Sequence, residues 1–123
     1  QPNQQGLAWL SSVAVGEGVL KISMSFSQAL ATTVTATMFA LPSAGVARDD
    51  IEDALGELCN VVTGQVKTIA VTEGPLGLPE VVQCSGNDRY VDEDRLVCEL
   101  PFAVCGEPLV LTIERDARSV VAA

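Results

Sequence analysis

The segment Asp49–Ile69 constrains this chain most, because its apolar residues recur at helical spacing for about six turns. On a wheel turning roughly 100° per residue, Ile51, Leu55, Leu58, Val62, Val66 and Ile69 fall within about 80° of one another and form a stripe that has to be buried. Asp53, Glu57, Asn60, Gly64 and Lys67 occupy the opposite sector, also about 80° wide, so that Glu57 and Asn60, three residues apart, project together from an outward face. Asp49 is suited to cap the helix, Glu52 three residues later has the spacing of a capping box, and Asp50 suits the positive end of the helix dipole. Gly56 and Gly64 each cost about 1 kcal/mol of helix propensity against alanine, and a mid-helix glycine lets another backbone approach closely.

The rest of the chain supplies the layer that such a helix needs. Leu7–Val15 and Gly18–Phe26 read as strands joined across Gly16-Glu17-Gly18. In the second strand Leu20, Ile22, Met24 and Phe26 alternate with Lys21, Ser23 and Ser25, giving one core face and one polar face. Ser27–Leu41 places Leu30, Val34, Met38 and Leu41 at helical spacing, with Ser27 as N-cap and Pro42 as the stop. Thr72–Pro79 is a loop by composition, Glu80–Cys84 a short strand and Ser85–Asp94 an acidic turn. Arg95–Val104 and Pro108–Arg115 form an antiparallel pair across Cys105-Gly106-Glu107, and Asp116–Ala123 is a tail. The order β-β-α-α-β-β-β specifies an α+β fold, an antiparallel β-sheet with two long helices packed on one face, in a single domain over residues 1–123.

Composition then narrows the function. Sixteen acidic residues against seven basic ones give a net charge of −9, which disfavours both nucleic acid and anionic lipid as partners. The uncharged stretch from Ile22 to Ala47 is broken by Ser, Thr, Pro42 and Gly45, so it predicts no membrane span. The absence of histidine removes the usual near-neutral proton shuttle, the Ser-His and Cys-His nucleophiles and most zinc sites. Cys59, Cys84, Cys98 and Cys105 contain no C-x-x-C pair and read as four small buried hydrophobes of a reducing compartment. Two disulfides in a secreted, β-rich interaction domain are the other reading of that count, and the chain opens on Gln rather than Met, as a trimmed or processed sequence does. Asp88, Asp92, Glu93 and Asp94 lack the spacing of an EF-hand loop, and no metal site is expected.

The stretch Asp53-Ala-Leu-Gly-Glu57-Leu-Cys-Asn60-Val-Val-Thr-Gly64 resembles the signature helix of the CheC/CheX chemotaxis phosphatases. That motif runs Asp or Ser, three residues, Glu, two residues, Asn, with a proline about twenty residues on, which Pro79 in Leu78-Pro79-Glu80-Val81-Val82 matches. Gly18 through Arg115 follows the family's order of elements, and a single copy of the motif favours CheX over the two-motif CheC. Two features depart from the pattern: there is little room before Leu7 for the family's additional N-terminal helix and strand, and Pro42-Ser43 stands where a glycine-containing turn is common.

The resemblance implies a cytoplasmic, homodimeric phosphatase acting on the aspartyl-phosphate of a CheY-type response regulator, with Mg²⁺ supplied by that partner and none bound by this chain. Asn60 would orient the attacking water, and Glu57 would pair with the regulator's active-site lysine. Asp53 would be a docking contact or else a solvated first-turn acid favourable to the helix dipole, Gly64 would allow close packing on the partner-binding face, and Pro79 would be a structural residue shaping the loop beside the helix. The same fold can also dock on a response regulator or a motor-switch protein without turnover. Intact Glu57 and Asn60 favour activity.

Overall fold

In the computed structural model, which describes residues 7–16, 20–70, 75–84 and 94–115, the elements run β1 (Leu7–Val15), β2 (Leu20–Ser27), α1 (Gln28–Phe39), a 3-10 turn (Ser43–Gly45), α2 (Arg48–Ala70), β3 (Glu80–Gln83), β4 (Leu96–Val104) and β5 (Glu107–Arg115). The strands form one sheet in the order β3-β1-β2-β5-β4, with every neighbouring pair antiparallel. The expected element order and α+β class are therefore those of the structure. The Glu17-Gly18 part of the first turn, part of the Thr72–Pro79 loop, Ser85 to Glu93 of the acidic turn and the tail Asp116–Ala123 lie outside the described residues.

Register builds the core. Trp9, Ser11 and Val13 stand opposite Phe26, Met24 and Ile22, which in turn face Leu109, Leu111 and Ile113. Leu30 and Ala31 of α1 and Ile51, Leu55 and Cys59 of α2 close over Trp9, Val13, Met24 and Phe26. Two aromatic side chains, Trp9 and Phe26, thus anchor an otherwise aliphatic cluster, and the Trp9 indole N–H donates to Gln28 Oε1 at 2.8 Å, so its burial leaves no donor unmet.

The sequence expectations needed correction in several places, each with a local cause. Ser27 does cap α1, its hydroxyl accepting the Leu30 N–H, but the helix ends at Ala40 rather than at Pro42. Ala40 adopts a left-handed conformation (φ 54°), and both its N–H and that of Leu41 donate to the Ala36 carbonyl, closing the helix two residues before the proline. The buried line of α1 is Leu30, Ala31 and Thr35, with Val34 and Leu41 half-buried and Met38 exposed. Small residues bring the helix close to its neighbours, and the Thr35 hydroxyl can be buried because it donates to the Ala31 carbonyl at 2.7 Å. Asp49 does not cap α2. The helix starts at Arg48, Ala47 precedes it, and Asp50 reaches back to accept the Ala47 N–H at 3.0 Å, half of a capping box displaced by two residues.

The buried stripe of α2 is also rolled from the expected one. Ile51 and Leu55 are buried as anticipated, but Ala54, Gly56, Cys59 and Thr63 join them, whereas Leu58, Val62 and Val66 are only half-buried; the side chain of Ile69 is not among those described. Small side chains define the contact line here too, since Cys59 comes within 3.8 Å of the Ile22 carbonyl oxygen of β2. The polar face of β2 is not solvated: Ser23 and Ser25 are buried along with Ser12, Thr112 and Val110. Of the four cysteines only Cys59 is buried; Cys84 and Cys98 are half-buried, Cys105 is exposed, and no disulfide joins them. Cys105 serves geometry instead. With Gly106 it makes a two-residue hairpin turn between β4 and β5, both residues at positive φ (52° and 77°), which matches the twist of the flanking strands.

Candidate functional site

The outward side of α2 meets a second wall made by the segment that enters β3. That wall is fixed from behind by β1. Gly77 donates its N–H to the Ala14 carbonyl at 2.8 Å, Gly16 donates to the Pro75 carbonyl at 3.2 Å, and Val15 bridges to Leu76. Three residues after Gly77, β3 takes up regular pairing with Ser12 opposite Glu80 and Ser11 opposite Val81. Pro79 lies at the junction, where its fixed φ and missing N–H suit the residue before a strand that pairs on one side.

Gly56 is where the two walls touch. A β carbon built on Gly56 would stand 3.5 Å from Pro79 Cγ, 3.6 Å from Pro79 Cβ and 3.7 Å from Val81 Cγ2. Around this contact opens a cleft of about 380 Å³, lined by Glu52, Asp53, Gly56, Glu57 and Asn60 on α2 and by Pro79 and Val81 opposite. The cleft has an apolar base and a rim of three carboxylates. Glu52 is engaged by Arg48 in an exposed ion pair at 3.3 Å along the helix. Among the described residues, Asp53 and Glu57 have no such partner, and both are exposed. A rim of this sign attracts a cationic group and repels a free anion. No three His, Cys, Asp or Glu side chains among the described residues converge closely enough to hold a metal ion.

Asn60 differs from its neighbours. The residue is half-buried, and its Oδ1 is covered and without a hydrogen-bond partner among the described residues. A covered amide oxygen left unpaired costs about 1–3 kcal/mol, so the fold carries a local penalty at this position. The roll of α2 that buries Cys59 and Thr63 is what turns Asn60 from the middle of the wet face toward its edge.

Four of the residues singled out from the sequence, Asp53, Glu57, Asn60 and Pro79, are thus brought to one cleft. Gly64 lies beyond its lining, and among the described residues no other part of the fold comes within 4 Å of a β carbon built there. Glu52, Gly56 and Val81 complete the cleft and were not anticipated as site residues. Glu52 carried only a capping signal and Val81 only a strand signal. Gly56 did carry one, as a glycine inside a long amphipathic helix.

Comparison with known proteins agrees with this architecture. The family described as chemotaxis phosphatase CheX matches residues 13–103. No curated protein matches the sequence. Among solved structures, the chemotaxis protein CheX of Vibrio vulnificus superimposes with a TM-score of 0.68 at 20% identity, over 93% of this chain and 78% of that one. CheX of Desulfovibrio desulfuricans gives a TM-score of 0.69 at 19% identity over 90% and 75%. A chemotactic CheC-like protein of Shewanella oneidensis gives 0.63 at 19% over 93% and 79%. At these identities the likeness is one of fold.

Proposed function

The chain belongs to the family of the chemotaxis phosphatase CheX, and from that premise we propose that it accelerates hydrolysis of the aspartyl-phosphate of a CheY-type response regulator. The observation that supports this reading is the convergence of Glu57 and Asn60 on one open cleft whose far wall is Pro79. An acyl phosphate is already activated, and the regulator contributes Mg²⁺ and a lysine of its own. What remains to be supplied is a water held in line with the phosphorus, which orientation alone can achieve. A carboxamide is no base near neutral pH, but it both donates and accepts hydrogen bonds. Asn60 holds the water. The water's oxygen attacks phosphorus, the bond from phosphorus to the aspartyl oxygen breaks, the regulator's carboxylate is restored, and both protons of the water leave with the inorganic phosphate. Glu57 fixes the docking register by pairing with the regulator's lysine, and Asp53 adds to the attraction. Gly64 leaves the helix surface open to close approach.

Such a substrate places the protein in the cytoplasm. A homodimer is part of the same proposal and is supported by the edge strand β4, where Leu100 and Phe102 stand exposed beside the core. One observation favours a second reading, that of a binding module without turnover: Oδ1 of Asn60, the acceptor the water would use, is covered in the free chain. The deciding experiment follows the decay of phosphorylated regulators with and without the protein. Accelerated decay of a cognate regulator supports the phosphatase, and binding with unchanged decay selects the module.

A further inference from the structure

Bulky apolar side chains left in water are ordinary when scattered, and it is their placement that carries meaning. Among the described residues the two most exposed are Leu78, at 90%, and Val61, at 62%. Each is the chain neighbour of a residue that lines the cleft, Leu78 of Pro79 on one wall and Val61 of Asn60 on the other. Val61 also stands one turn beyond Glu57 on α2, so it shares the outward face with the carboxylate rim. Neither residue is loosely held. Leu78 follows Gly77, whose N–H donates to the Ala14 carbonyl at 2.8 Å. A β carbon built on Gly77 would meet that carbonyl oxygen at 3.4 Å and Ala14 Cβ at 3.5 Å, so the glycine lets the loop lie against β1. On its other side Leu78 is followed by Pro79, whose ring lies against α2 at Gly56. Val61 is fixed within the 23 residues of α2.

We propose that Leu78 and Val61 are a pair of apolar docking contacts that bracket the cleft, and that the partner they fit is a response regulator carrying apolar side chains on both sides of its phosphorylated site. The proposal rests on the phosphatase reading above and adds to it a hydrophobic contribution from outside the cleft, separate from the roles given to Glu57, Asp53 and Asn60. A body that enters the cleft passes between Leu78 and Val61 and covers both, which takes apolar surface out of water. Because both backbones are already fixed, docking requires little further ordering of this chain. A second copy of the chain suits the place poorly. Two copies meeting here would set the Asp53 and Glu57 carboxylates of each against those of the other, on chains that each carry a net charge of −9. Salt screens the carboxylate rim but leaves apolar contacts in place, so the two contributions can be told apart.

The test is Leu78→Ser, Val61→Ser and the double variant in the intact protein. They are read by thermal midpoint and by steady-state dephosphorylation, across a sodium chloride series, of a phosphorylated regulator that the wild type accelerates. Serine is close to valine in helix propensity, so α2 is kept. The midpoint should stay within about 2 °C of wild type. KM should rise about tenfold for Leu78→Ser and about threefold for Val61→Ser at every salt concentration, with kcat within about threefold of wild type. An unchanged KM in the double variant overturns the proposal. So does a rise that shrinks as salt is added, because the effect then runs through the carboxylates. A lowered midpoint with activity lost in proportion overturns it as well, because the side chains would then be serving the fold. Sedimentation adds a further check: a smaller assembly for the double variant than for the wild type means that the pair covers a second copy, and the proposal falls. If the wild type binds regulators without accelerating decay, the phosphatase reading fails and calorimetric affinity of the same variants decides the docking role by the same criteria. If the wild type neither binds nor accelerates any regulator, both readings fall.

Discussion

The Ser27 hydroxyl donates to the Glu107 carboxylate at 2.7 Å, tying the start of α1 to the first residue of β5 across 80 positions of sequence. The same oxygen accepts the Leu30 N–H at 3.1 Å, so one buried group both caps a helix and anchors that helix to the sheet. Ser27→Ala removes both bonds. The expected cost is about 1–2 kcal/mol, from the lost cap and the lost partner of Glu107. Urea unfolding should show a lower midpoint at unchanged slope. Because α1 contributes nothing to the cleft lining, activity below the midpoint should stay at the wild-type level.

Glu57 and Asp53 are exposed carboxylates facing a partner, so their effect should depend on ionic strength where the effect of a packed residue does not. Glu57→Gln keeps shape and hydrogen bonding while removing the charge. The expected result is a regulator KM raised roughly tenfold at low salt, with the gap from wild type narrowing as salt is added. Stability should stay near wild type. A gap that is constant across the salt series would assign Glu57 a role other than charge pairing.

Cys59 gives the fold a pH signature. Burial holds its thiol above the ordinary value of 9.0, opposed in part by the neighbouring Ser11 and Thr63 hydroxyls. The unfolded chain loses this proton near 9.0 while the folded chain retains it. The contribution is therefore complete below pH 9.0 and is lost as pH rises from there through the folded value. Cys59→Ala should unfold more easily at neutral pH, by about 1–2 kcal/mol for the vacated space, and should show a shallower fall of stability above pH 9.0 than wild type. Thiol labelling adds a kinetic check: Cys105, exposed in its turn, should react first, and Cys59 only on unfolding.

The fold was legible wherever periodicity was long. The alternation in β2 and the 3.6-residue repeat of α2 specify those elements because a strand or helix of that length has only one way to hide its apolar side. Which small residues take the closest contacts was not legible. Ala31, Thr35, Ala54, Cys59 and Thr63 outrank larger neighbours such as Met38 and Leu58 because helix and sheet approach most closely where side chains are short. Hydropathy ranks Met and Leu above Thr, and only the tertiary fit reverses that order. Helix ends were missed by one or two residues for a related reason: the cap of α2 is a backbone N–H held by Asp50, and the stop of α1 is a left-handed Ala40, and neither residue type announces that role. In the cleft, the α2 residues could be grouped by a wheel. Their meeting with Pro79 and Val81 depends on β1 pairing with β3, a relation between distant segments.

Asn60 separates stability from function most sharply. Its covered, unpaired Oδ1 costs the free protein about 1–3 kcal/mol, and alanine is also the better helix former. Asn60→Ala should therefore raise the unfolding midpoint or leave it unchanged while reducing regulator decay to the rate of the regulator alone. A residue that merely supported the fold would show the opposite pairing, with activity and stability falling together. Asn60→Asp sharpens the contrast, since it puts a carboxylate in the covered position, on the same cleft as Glu57 and Asp53. That variant should lose the acceleration and also unfold more readily, most of all above the pH at which the new carboxyl ionises. Denaturation curves for the three proteins, set beside their decay rates with one regulator, test the assignment: a destabilised Asn60→Ala, or one that still accelerates decay, would remove Asn60 from the chemistry.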